Sequence, residues 1–272
     1  MTDFMEDTVR KVLDLVEEAG DEILSIYNSD DFGTRIKEDK SPLTEADVSS
    51  HKVLVDGLRK MTPEIPVLSE ESEDIEYEER SEWDRFWLVD PLDGTKEFIK
   101  QNGEFTVNVA LIEAGKPVMG VVGVPAANTM YWATESAGAF KRPASGDTVP
   151  LHVTENCPER DQLKVVVSRS HVNEDTEEYA RRVSDRQGGV ELVPVGSALK
   201  LCMVAEGEAQ VYPRIGPTME WDIAAADCVV RQAGGVVRTM SGEELRYNKK
   251  ELLNPHFVAA CCEALMPQAL GY

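Results

Sequence analysis

Residues 87–95, WLVDPLDGT, place two carboxylates three positions apart directly after an apolar run. Successive apolar residues before Asp90 predict a strand that is buried on both faces and ends at that aspartate. Pro91 then fixes the backbone, Gly94 permits a tight turn, and Thr95 begins a predicted short helix. The segment therefore predicts a stiff turn at the end of a buried strand.

Asp90 and Asp93 would repel each other at such a strand end. A divalent cation resolves this conflict, because Mg²⁺ prefers hard oxygen ligands and is commonly held by carboxylates together with substrate phosphate. For a single aspartate, ordinary turn chemistry, in which the side chain bonds nearby backbone, is the better explanation. The combination of strand, two carboxylates, glycine and helix favours a metal site.

Bulk composition limits the class of protein. The chain has 272 residues, of which 42% are hydrophobic and 29% charged, as in soluble globular proteins. Its 28 basic and 50 acidic residues give a formal charge of −22, which argues against nucleic acid polymers and anionic membranes as partners. The composition leaves a monomer and a homodimer equally open.

The chain contains no apolar run near the roughly 20 residues of a transmembrane helix. Its acidic start lacks the apolar segment of a signal peptide, so we expect a cytoplasmic protein, with peripheral attachment to the inner membrane face left open. Five cysteines form an odd set without metal-ligand spacing. This predicts reduced, buried thiols and no zinc site.

The N-terminal part of the chain combines helices with a strand meander. Apolar spacing predicts one helix over residues 4–27 and a second from Thr44 to about Met61. Five strand-like segments separated by short turns then follow between residues 85 and 142. They predict an antiparallel sheet with helices laid against it.

From about residue 156, predicted strands and helices alternate, which is typical of a layered α/β arrangement. The segment PASGDTVP, residues 143–150, is the candidate seam. We therefore expect an N-terminal α+β half, residues 1–150, and a C-terminal α/β half, residues 151–272.

Further acidic residues have two interpretations each. Glu70 follows an apolar strand and points from a rigid edge, yet it also begins an acidic run, residues 70–82, that is typical of a mobile surface segment. Asp222 precedes a small apolar helix, where a carboxylate is favourable as an N-terminal cap without any metal. Thr44 and Asp47 likewise suffice as a helix cap.

Three segments in order, VLSEES, WLVDPLDGT and EWDIAAAD, resemble the inositol monophosphatase superfamily of metal-dependent phosphatases. Two longer stretches, DPLDGTKEFIKQNGEFTVNVALI and GSALKLCMVAEGEAQVYPRIGPTMEWD, resemble more narrowly the CysQ-type 3′(2′),5′-bisphosphate nucleotidases. The matches run from about residue 41 to residue 254. The resemblance implies a layered α-β-α-β-α sandwich of the sugar-phosphatase type and inhibition by lithium, with a place in sulfur assimilation.

The resemblance also implies a metal site for two or three Mg²⁺ ions. Its side-chain ligands would be Glu70, Asp90, Asp93 and Asp222, with the backbone carbonyl of Leu92 added.

Catalysis would follow from the same set. Asp47 would partner Thr95 in orienting and deprotonating the attacking water, with Glu70 also in the catalytic group, while Mg²⁺ polarises the phosphate. No histidine, cysteine or serine nucleophile is required. The four histidines share no spacing and are expected to be structural or surface residues: His51, His152, His171 and His256.

Phosphate needs neutral donors as well. Gly94 with Thr95, and Gly196 with Ser197, each precede a predicted helix and offer backbone N–H groups where a helix N-terminus attracts anions. A glycine before a helix is usually only a turn. The first pair gains weight because it adjoins the carboxylates.

Three basic residues match the nucleotidase pattern: Lys96, Lys200 and Arg214. Each alone is explained by surface exposure. In so acidic a chain, however, cations beside an anion site suit a substrate with a second phosphate, such as 3′-phosphoadenosine 5′-phosphate, which would yield AMP and phosphate. Ser168, Arg169 and His171 are further candidates near the nucleotide, and Asp222 is counted among the substrate contacts.

Three alternatives stay open. An inositol monophosphatase or a sugar bisphosphatase would use the same metal chemistry, although inositol phosphatases more often have asparagine where this chain has Lys96 and Glu97. A noncatalytic protein that binds divalent cations for structural purposes is the third, but the chain lacks carboxylates at EF-hand intervals. The sequence does not separate 3′-phosphoadenosine 5′-phosphate from its 5′-phosphosulfate relative.

Overall fold

The computed structural model describes residues 2–29, 32–36, 42–72, 75–153, 163–170, 174–187 and 189–266. Within them the chain forms helices α1 (Thr2–Tyr27), α2 (Glu45–Met61), α3 (Tyr77–Arg80), α4 (Thr95–Ile99), α5 (Glu174–Gln187), α6 (Leu199–Glu206) and α7 (Glu220–Gln232), with 3₁₀ turns at Pro125–Ala127 and Glu263–Leu265. Among the described residues, no helix is both long and apolar enough to cross a bilayer.

The strands of the N-terminal part are β1 (Arg35–Ile36), β2 (Pro42–Leu43), β3 (Val67–Ser69), β4 (Arg85–Asp93), β5 (Thr106–Glu113), β6 (Lys116–Val124), β7 (Thr129–Thr134), β8 (Gly138–Arg142) and β9 (Val149–Leu151). Strands β3 to β9 form one sheet in sequence order. Every neighbouring pair from β4 to β9 is antiparallel, which confirms the predicted meander. Strand β3 adds to its edge in parallel with β4.

The remaining strands are β10 (Leu163–Ser168), β11 (Val190–Val195), β12 (Val211–Arg214), β13 (Val236–Thr239) and β14 (Phe257–Ala260). They form a mixed sheet in the order β11-β10-β12-β14-β13. Strand β10 pairs in parallel with β11 and β12, whereas β14 is antiparallel to both of its neighbours. The predicted alternation of strands and helices is confirmed.

Three apolar clusters define the layers. Helices α1 and α2 pack against one face of the seven-stranded sheet, through residues such as Val16, Leu54 and Val109. Helices α6 and α7 fill the space between the two sheets. Helix α5 covers the outer face of the five-stranded sheet, where Tyr179 and Val183 meet Val165. The result is the predicted α-β-α-β-α sandwich.

Helix α7 comes from the C-terminal half but lies directly on the N-terminal sheet. A Cβ atom at Gly120 on β6 would stand 2.2 Å from the carbonyl oxygen of Ala225, so this close approach requires glycine. The expected boundary between residues 150 and 151 falls inside β9. The two halves therefore share a core. Their division near residue 150 stays a prediction from the sequence.

The acidic run, residues 70–82, needs a correction. The acidic run is not wholly a solvated segment, because Arg80 within it is only 4% exposed. Its guanidinium donates to the backbone oxygens of Lys249 and Lys250 at 2.6 and 2.7 Å.

The described cysteines are free thiols, three of them buried, whereas Cys157 lies outside the described residues.

Candidate active site

The sequence predicted that the strand carrying the two aspartates ends at Asp90. This is wrong, because the strand continues to Asp93. Asp90 pairs with Asn108 and Asp93 with Thr106, and the register shifts between these two pairs. Pro91 and Leu92 therefore occupy an irregularity of the strand, where a proline is tolerated because no ladder hydrogen bond is needed. The extra backbone redirects the end of β4 without breaking the sheet.

Three carboxylates from distant parts of the chain converge beside this irregularity. Glu70, Asp90 and Asp222 each offer an oxygen, and these oxygens all lie within 4.8 Å of one another. Glu70 directly follows β3, Asp90 lies on the adjacent strand, and Asp222 stands in the first turn of α7. The parallel pairing of β3 with β4 brings the first two together.

Backbone donors hold two of these carboxylates in place. The N–H of Leu92 donates to Oδ1 of Asp90 at 3.1 Å, and that of Met219 donates to Oδ2 of Asp222 at 3.0 Å. Asp222 therefore caps α7, one of the two predicted interpretations, and also belongs to the acidic group. The two roles are compatible because an ionised carboxylate has two oxygens with several acceptor positions.

Burial and mutual repulsion make the group unfavourable when it is ionised. Burial raises the pKa of Asp90 well above its usual range, and the charges of Glu70, Asp93 and Asp222 raise it further. The pKa of Asp222 is raised for the same reasons. Oxygen-only donors with excess negative charge match the preferences of Mg²⁺, so the residues present fit the implied metal.

Asp93 stands beside this group and faces the positive side of the site. Burial raises the pKa of Asp93 to about 6, against the opposing effects of the Lys200 charge and the N–H of Ala198. The hydroxyl of Thr106 lies 3.4 Å from its Oδ2. Within the described residues, Asp93 is not part of the 4.8 Å carboxylate cluster. Its role as a metal ligand remains a prediction.

Asp47 connects two helix starts. Its Oδ2 accepts from both the backbone N–H and the hydroxyl of Thr44, at 2.7 and 2.6 Å, which is the predicted capping arrangement. Its Oδ1 lies 3.3 Å from the hydroxyl of Thr95, at the start of α4. The same hydroxyl lies 3.4 Å from the carbonyl oxygen of Leu92. Asp47 is 2% exposed, so this geometry is fixed from within the core.

A cavity of about 250 Å³ opens next to these groups. Asp93 and Asp222 line this cavity, and its wall also includes most of the predicted substrate contacts: Gly94, Thr95, Lys96, Gly196, Ser197, Lys200 and Arg214. A space of this size accommodates a small anionic substrate in part, with the remainder extending toward solvent.

Lys200 is not a surface residue, so the alternative that explained it by surface exposure is wrong. It is 5% exposed, and its ammonium donates to the backbone oxygen of Ser197 at 2.5 Å and lies 5.5 Å from the centre of the Tyr212 ring. Burial lowers the pKa of Lys200 to about 8, against the opposing charge of Asp93. A buried cation therefore lines the same cavity as Asp93 and Asp222.

One predicted phosphate donor is already engaged. The N–H of Gly196 donates to Oε2 of Glu104 at 2.8 Å, so it is not free for an anion in this structure. Ser197 has a left-handed backbone, with φ of 48°, and the helix after it begins at Leu199. Gly94 also has a positive φ of 93°, and a Cβ there would stand 3.1 Å from the carbonyl oxygen of Glu104.

The predicted nucleotide contacts beyond β10 separate into three cases. Ser168 lines the cavity. Arg169 instead forms a two-pronged ion pair with Glu104, with both N···O distances 2.6 Å. His171 lies outside the described residues.

The family model described as inositol monophosphatase family matches residues 5–268. The chain belongs to the inositol monophosphatase family. It is 45% identical over 259 residues to the 3′(2′),5′-bisphosphate nucleotidase CysQ of Salmonella typhimurium, spanning 92% of this chain and 98% of that protein. The corresponding Escherichia coli K12 protein, also named CysQ, is 45% identical over 261 residues, spanning 91% and 97%.

Solved structures agree with this family assignment. The crystal structure of CysQ from Bacteroides thetaiotaomicron has a TM-score of 0.83 and 43% identity, covering 94% of this chain and 98% of that one. An IMPase from Thermotoga maritima has a TM-score of 0.78 and 25% identity, covering 97% and 95%. The similarity extends over the full sandwich and includes both sheets.

Two acidic residues of this inositol monophosphatase family member were not predicted to line or support the site. Glu97 is 4% exposed, lines the cavity and accepts a hydrogen bond from the hydroxyl of Ser170. Glu104 joins Arg169 to Gly196, as described above. Glu97 adjoins the quoted motif, but its partner Ser170 lies 73 positions later in the chain. Gly196 likewise lies 92 positions after Glu104. No local pattern in the sequence therefore indicates these hydrogen bonds.

Proposed function

We propose that this protein hydrolyses the 3′-phosphate of 3′-phosphoadenosine 5′-phosphate, releasing AMP and inorganic phosphate, with Mg²⁺ as cofactor. The observation that carries the proposal is the convergence of Glu70, Asp90 and Asp222, the last of which lines a cavity that the buried cation Lys200 also lines. The name shared by the relatives from Salmonella and Escherichia supports the choice of substrate.

The metal would be held by Glu70, Asp90, Asp93 and Asp222 together with the backbone oxygen of Leu92, in a site for two or three ions. When bound, divalent cations offset the carboxylate charge and polarise the phosphoryl group. The protein contributes the placement of these oxygens on a strand irregularity and a helix start, both of which are anchored in the core.

Thr95 and Asp47 would activate the attacking water. Thr44 donates twice to Oδ2 of Asp47, and Oδ1 of the same carboxylate accepts from the hydroxyl of Thr95. As the Thr95 oxygen accepts a proton from water, the hydroxyl proton of Thr95 would pass to Oδ1 of Asp47, which becomes protonated and leaves hydroxide as the nucleophile. Proton transfer to a positioned side chain of this kind contributes typically about 10²–10⁴ in rate.

The second phosphate would face Lys200 and Arg214, with Lys96 at the rim. Arg214 donates to the backbone oxygen of Pro217 at 2.6 Å, which fixes its guanidinium toward the cavity it lines. Its Nε is buried and has no hydrogen-bond partner in the described part of the chain. A guanidinium with unused donors is suited to a phosphate group.

The test is phosphate release from three substrates in parallel, each with Mg²⁺ or with chelator: 3′-phosphoadenosine 5′-phosphate, inositol 1-phosphate and fructose 1,6-bisphosphate. We expect Mg²⁺-dependent turnover that is highest with the nucleotide and is inhibited by lithium. Turnover restricted to inositol or sugar phosphate would contradict the proposed substrate. Absence of turnover on all three would favour a structural cation-binding protein.

The comparison of 3′-phosphoadenosine 5′-phosphate with its 5′-phosphosulfate relative belongs in the same assay, because both present a 3′-phosphate and differ only at the distal group. Cytoplasmic location and the choice between monomer and homodimer stay predictions.

A further inference from the structure

Asn108 on β5 is a buried polar residue without a partner. Its side chain is 1% exposed, and neither its amide nitrogen nor its oxygen has a hydrogen-bond partner within the described residues. Buried amides in native proteins are nearly always hydrogen-bonded, so an orphaned one calls for a specific explanation.

The register of the sheet places this amide beside a proposed metal ligand. Asn108 pairs directly with Asp90 on β4, and directly paired residues project their side chains from the same face. That face is the one shared by Leu88 and Ala110, against which α7 packs. Asn108 therefore lies beside the strand that supplies Asp90, on the sheet face that packs against α7, the helix that carries Asp222 in its first turn.

Neighbours on the same face leave few alternatives as hydrogen-bond partners. Val122, which pairs with Asn108 on the other side, and Ala110, two positions along β5, are apolar. Thr106, two positions in the other direction, lies with its hydroxyl 3.4 Å from Asp93. Strand β5 thus places two buried polar side chains opposite the two aspartates of β4, and among the described residues Thr106 has a side-chain partner whereas Asn108 has none.

We infer that Asn108 is a positioning residue for the metal site: when a divalent cation is bound, its amide NH₂ donates to the carboxylate of Asp90. An ionised carboxylate only accepts hydrogen bonds, so it complements the two donors of the amide. The bond fixes which oxygen Asp90 presents to the cation, as residues behind metal ligands commonly do. This inference rests on the proposed function, because it requires Asp90 to be a ligand.

The experiment measures Mn²⁺ binding by calorimetry to chelator-stripped protein, without substrate. We expect Asn108→Leu, which keeps the branching at Cγ and removes the amide, to weaken Mn²⁺ affinity by about 10- to 100-fold, the range for residues that orient metal ligands. Asn108→Ser, which restores one donor, should recover part of the affinity. Thr134→Val is the matched control, because Thr134 is a buried, hydrogen-bonded residue of β7.

Thermal unfolding in chelator separates positioning from a general structural role. In the metal-free protein, Asn108→Leu replaces an unpartnered polar group with an apolar one, so the midpoint should stay unchanged or rise, whereas Thr134→Val should lower it and leave Mn²⁺ affinity unchanged. Unchanged Mn²⁺ affinity in both Asn108→Leu and Asn108→Ser would overturn the inference. If Asn108→Leu fails to fold, the affinity of Asn108→Ser decides, with full wild-type affinity counting against it.

The two proposals fail in different ways. Wild-type protein that binds Mn²⁺ but hydrolyses no nucleotide contradicts the proposed substrate alone, and the variant affinities still decide the role of Asn108. Wild-type protein that binds no Mn²⁺ contradicts both.

Discussion

Asp47 and Thr95 stand 48 positions apart in the chain, yet their side-chain oxygens lie 3.3 Å apart at the starts of α2 and α4. The contact exists because Thr44 orients Asp47 from the opposite side. One carboxylate therefore caps α2 with one oxygen and contacts Thr95 with the other.

This division predicts how substitutions at the pair separate activity from stability. Asp47→Asn should lower kcat by roughly 10²–10⁴, because a carboxamide does not take up the proton passed on by Thr95. Thr44→Val should cost about 1 kcal/mol of unfolding free energy through loss of the cap and retain most turnover. Steady-state kinetics and denaturant unfolding of both variants measure this. Asp47→Asn turnover within tenfold of wild type would contradict the role given to Asp47.

The crowded carboxylates predict an inverse relation between metal binding and metal-free stability. Burial and the neighbouring carboxylate charges raise the pKa of Asp90, so folding disfavours its ionised form. Asp90→Asn should raise the unfolding midpoint in chelator. It should also abolish the stabilisation that Mn²⁺ gives the wild type, which is about 2.7 kcal/mol of unfolding free energy at 100 times the Kd.

Asp93→Asn should keep the fold and lower turnover by several orders of magnitude if Asp93 holds a catalytic ion.

The control for the Asp90→Asn comparison is the wild type titrated with Mn²⁺ at a fixed protein concentration. An Asp90→Asn protein that is less stable than wild type in chelator, and is still stabilised by Mn²⁺, would show that Asp90 is structural.

Lys200 predicts a pH dependence specific to substrates with a second phosphate. Burial lowers its pKa from 10.5 to about 8, so the free enzyme loses this positive charge as pH rises through about 8. We expect kcat/KM for 3′-phosphoadenosine 5′-phosphate to fall across that range in the wild type, and to fall less in Lys200→Arg, whose charge persists. Parallel profiles for the two proteins would exclude Lys200 from substrate binding.

Stability should move in the opposite direction. Between about pH 8 and 10.5 the unfolded chain holds the Lys200 proton, whereas the folded protein has released it. The contribution of Lys200 to the unfolding free energy therefore rises with pH across this range, and it is lost again as pH falls through about 8. The difference in unfolding free energy between wild type and Lys200→Met, followed from pH 7 to 10, measures this contribution.

What the sequence predicts well is local. The cap formed by Thr44 and Asp47 and the strand-turn-helix at Asp90 depend on residues a few positions apart, and both are visible as spacing. The meander follows from alternating strands and short turns, since sequential strands usually pair. The strand irregularity at Pro91 was mistaken for a strand end because a proline and a glycine also signal termination.

What the sequence does not predict depends on distant partners. Arg80 lies in an acidic run typical of a surface segment, but its acceptors are backbone oxygens about 170 positions away. Lys200 is buried because α6 turns it toward the cavity between two sheets. Gly196 donates to a carboxylate 92 positions earlier. None of these partners leaves a periodic pattern, so only the fold reveals them.

Gly196 predicts a steric effect that a second glycine does not share. A Cβ at Gly196 would stand 2.7 Å from both the carbonyl oxygen of Glu104 and Cγ of Glu97. Gly196→Ala should therefore destabilise the protein by about 1–3 kcal/mol and raise KM, because the backbone leading to Ala198 must shift. Gly216→Ala is the control, since its nearest heavy atom would be 4.0 Å away. Equal unfolding midpoints for the two variants would refute the steric argument.

Glu220 predicts a link between a C-terminal loop and the metal site. It is fully buried, and its carboxylate accepts from the backbone N–H groups of Asn248 and Lys249 at 2.6 and 3.0 Å, and from the Lys249 ammonium at 2.5 Å. Arg80 holds the same loop from its other side. Because Glu220 begins α7, this brace sets the position of Asp222 two residues later.

Removing the charge of Glu220 should therefore affect both stability and metal binding. Glu220→Gln should cost about 2 kcal/mol, less than the roughly 3–5 kcal/mol of a fully buried pair because Lys249 remains 27% exposed, and should weaken Mn²⁺ binding as the first turn of α7 moves. Glu191→Gln is the matched control, since Glu191 and Lys164 form an exposed pair 3.8 Å apart whose loss should cost less than about 1 kcal/mol. Denaturant unfolding and Mn²⁺ calorimetry on both variants measure the two effects. A Glu220→Gln protein that is destabilised but binds Mn²⁺ with wild-type affinity would limit the brace to the fold, since Asp222 would then keep its place without it.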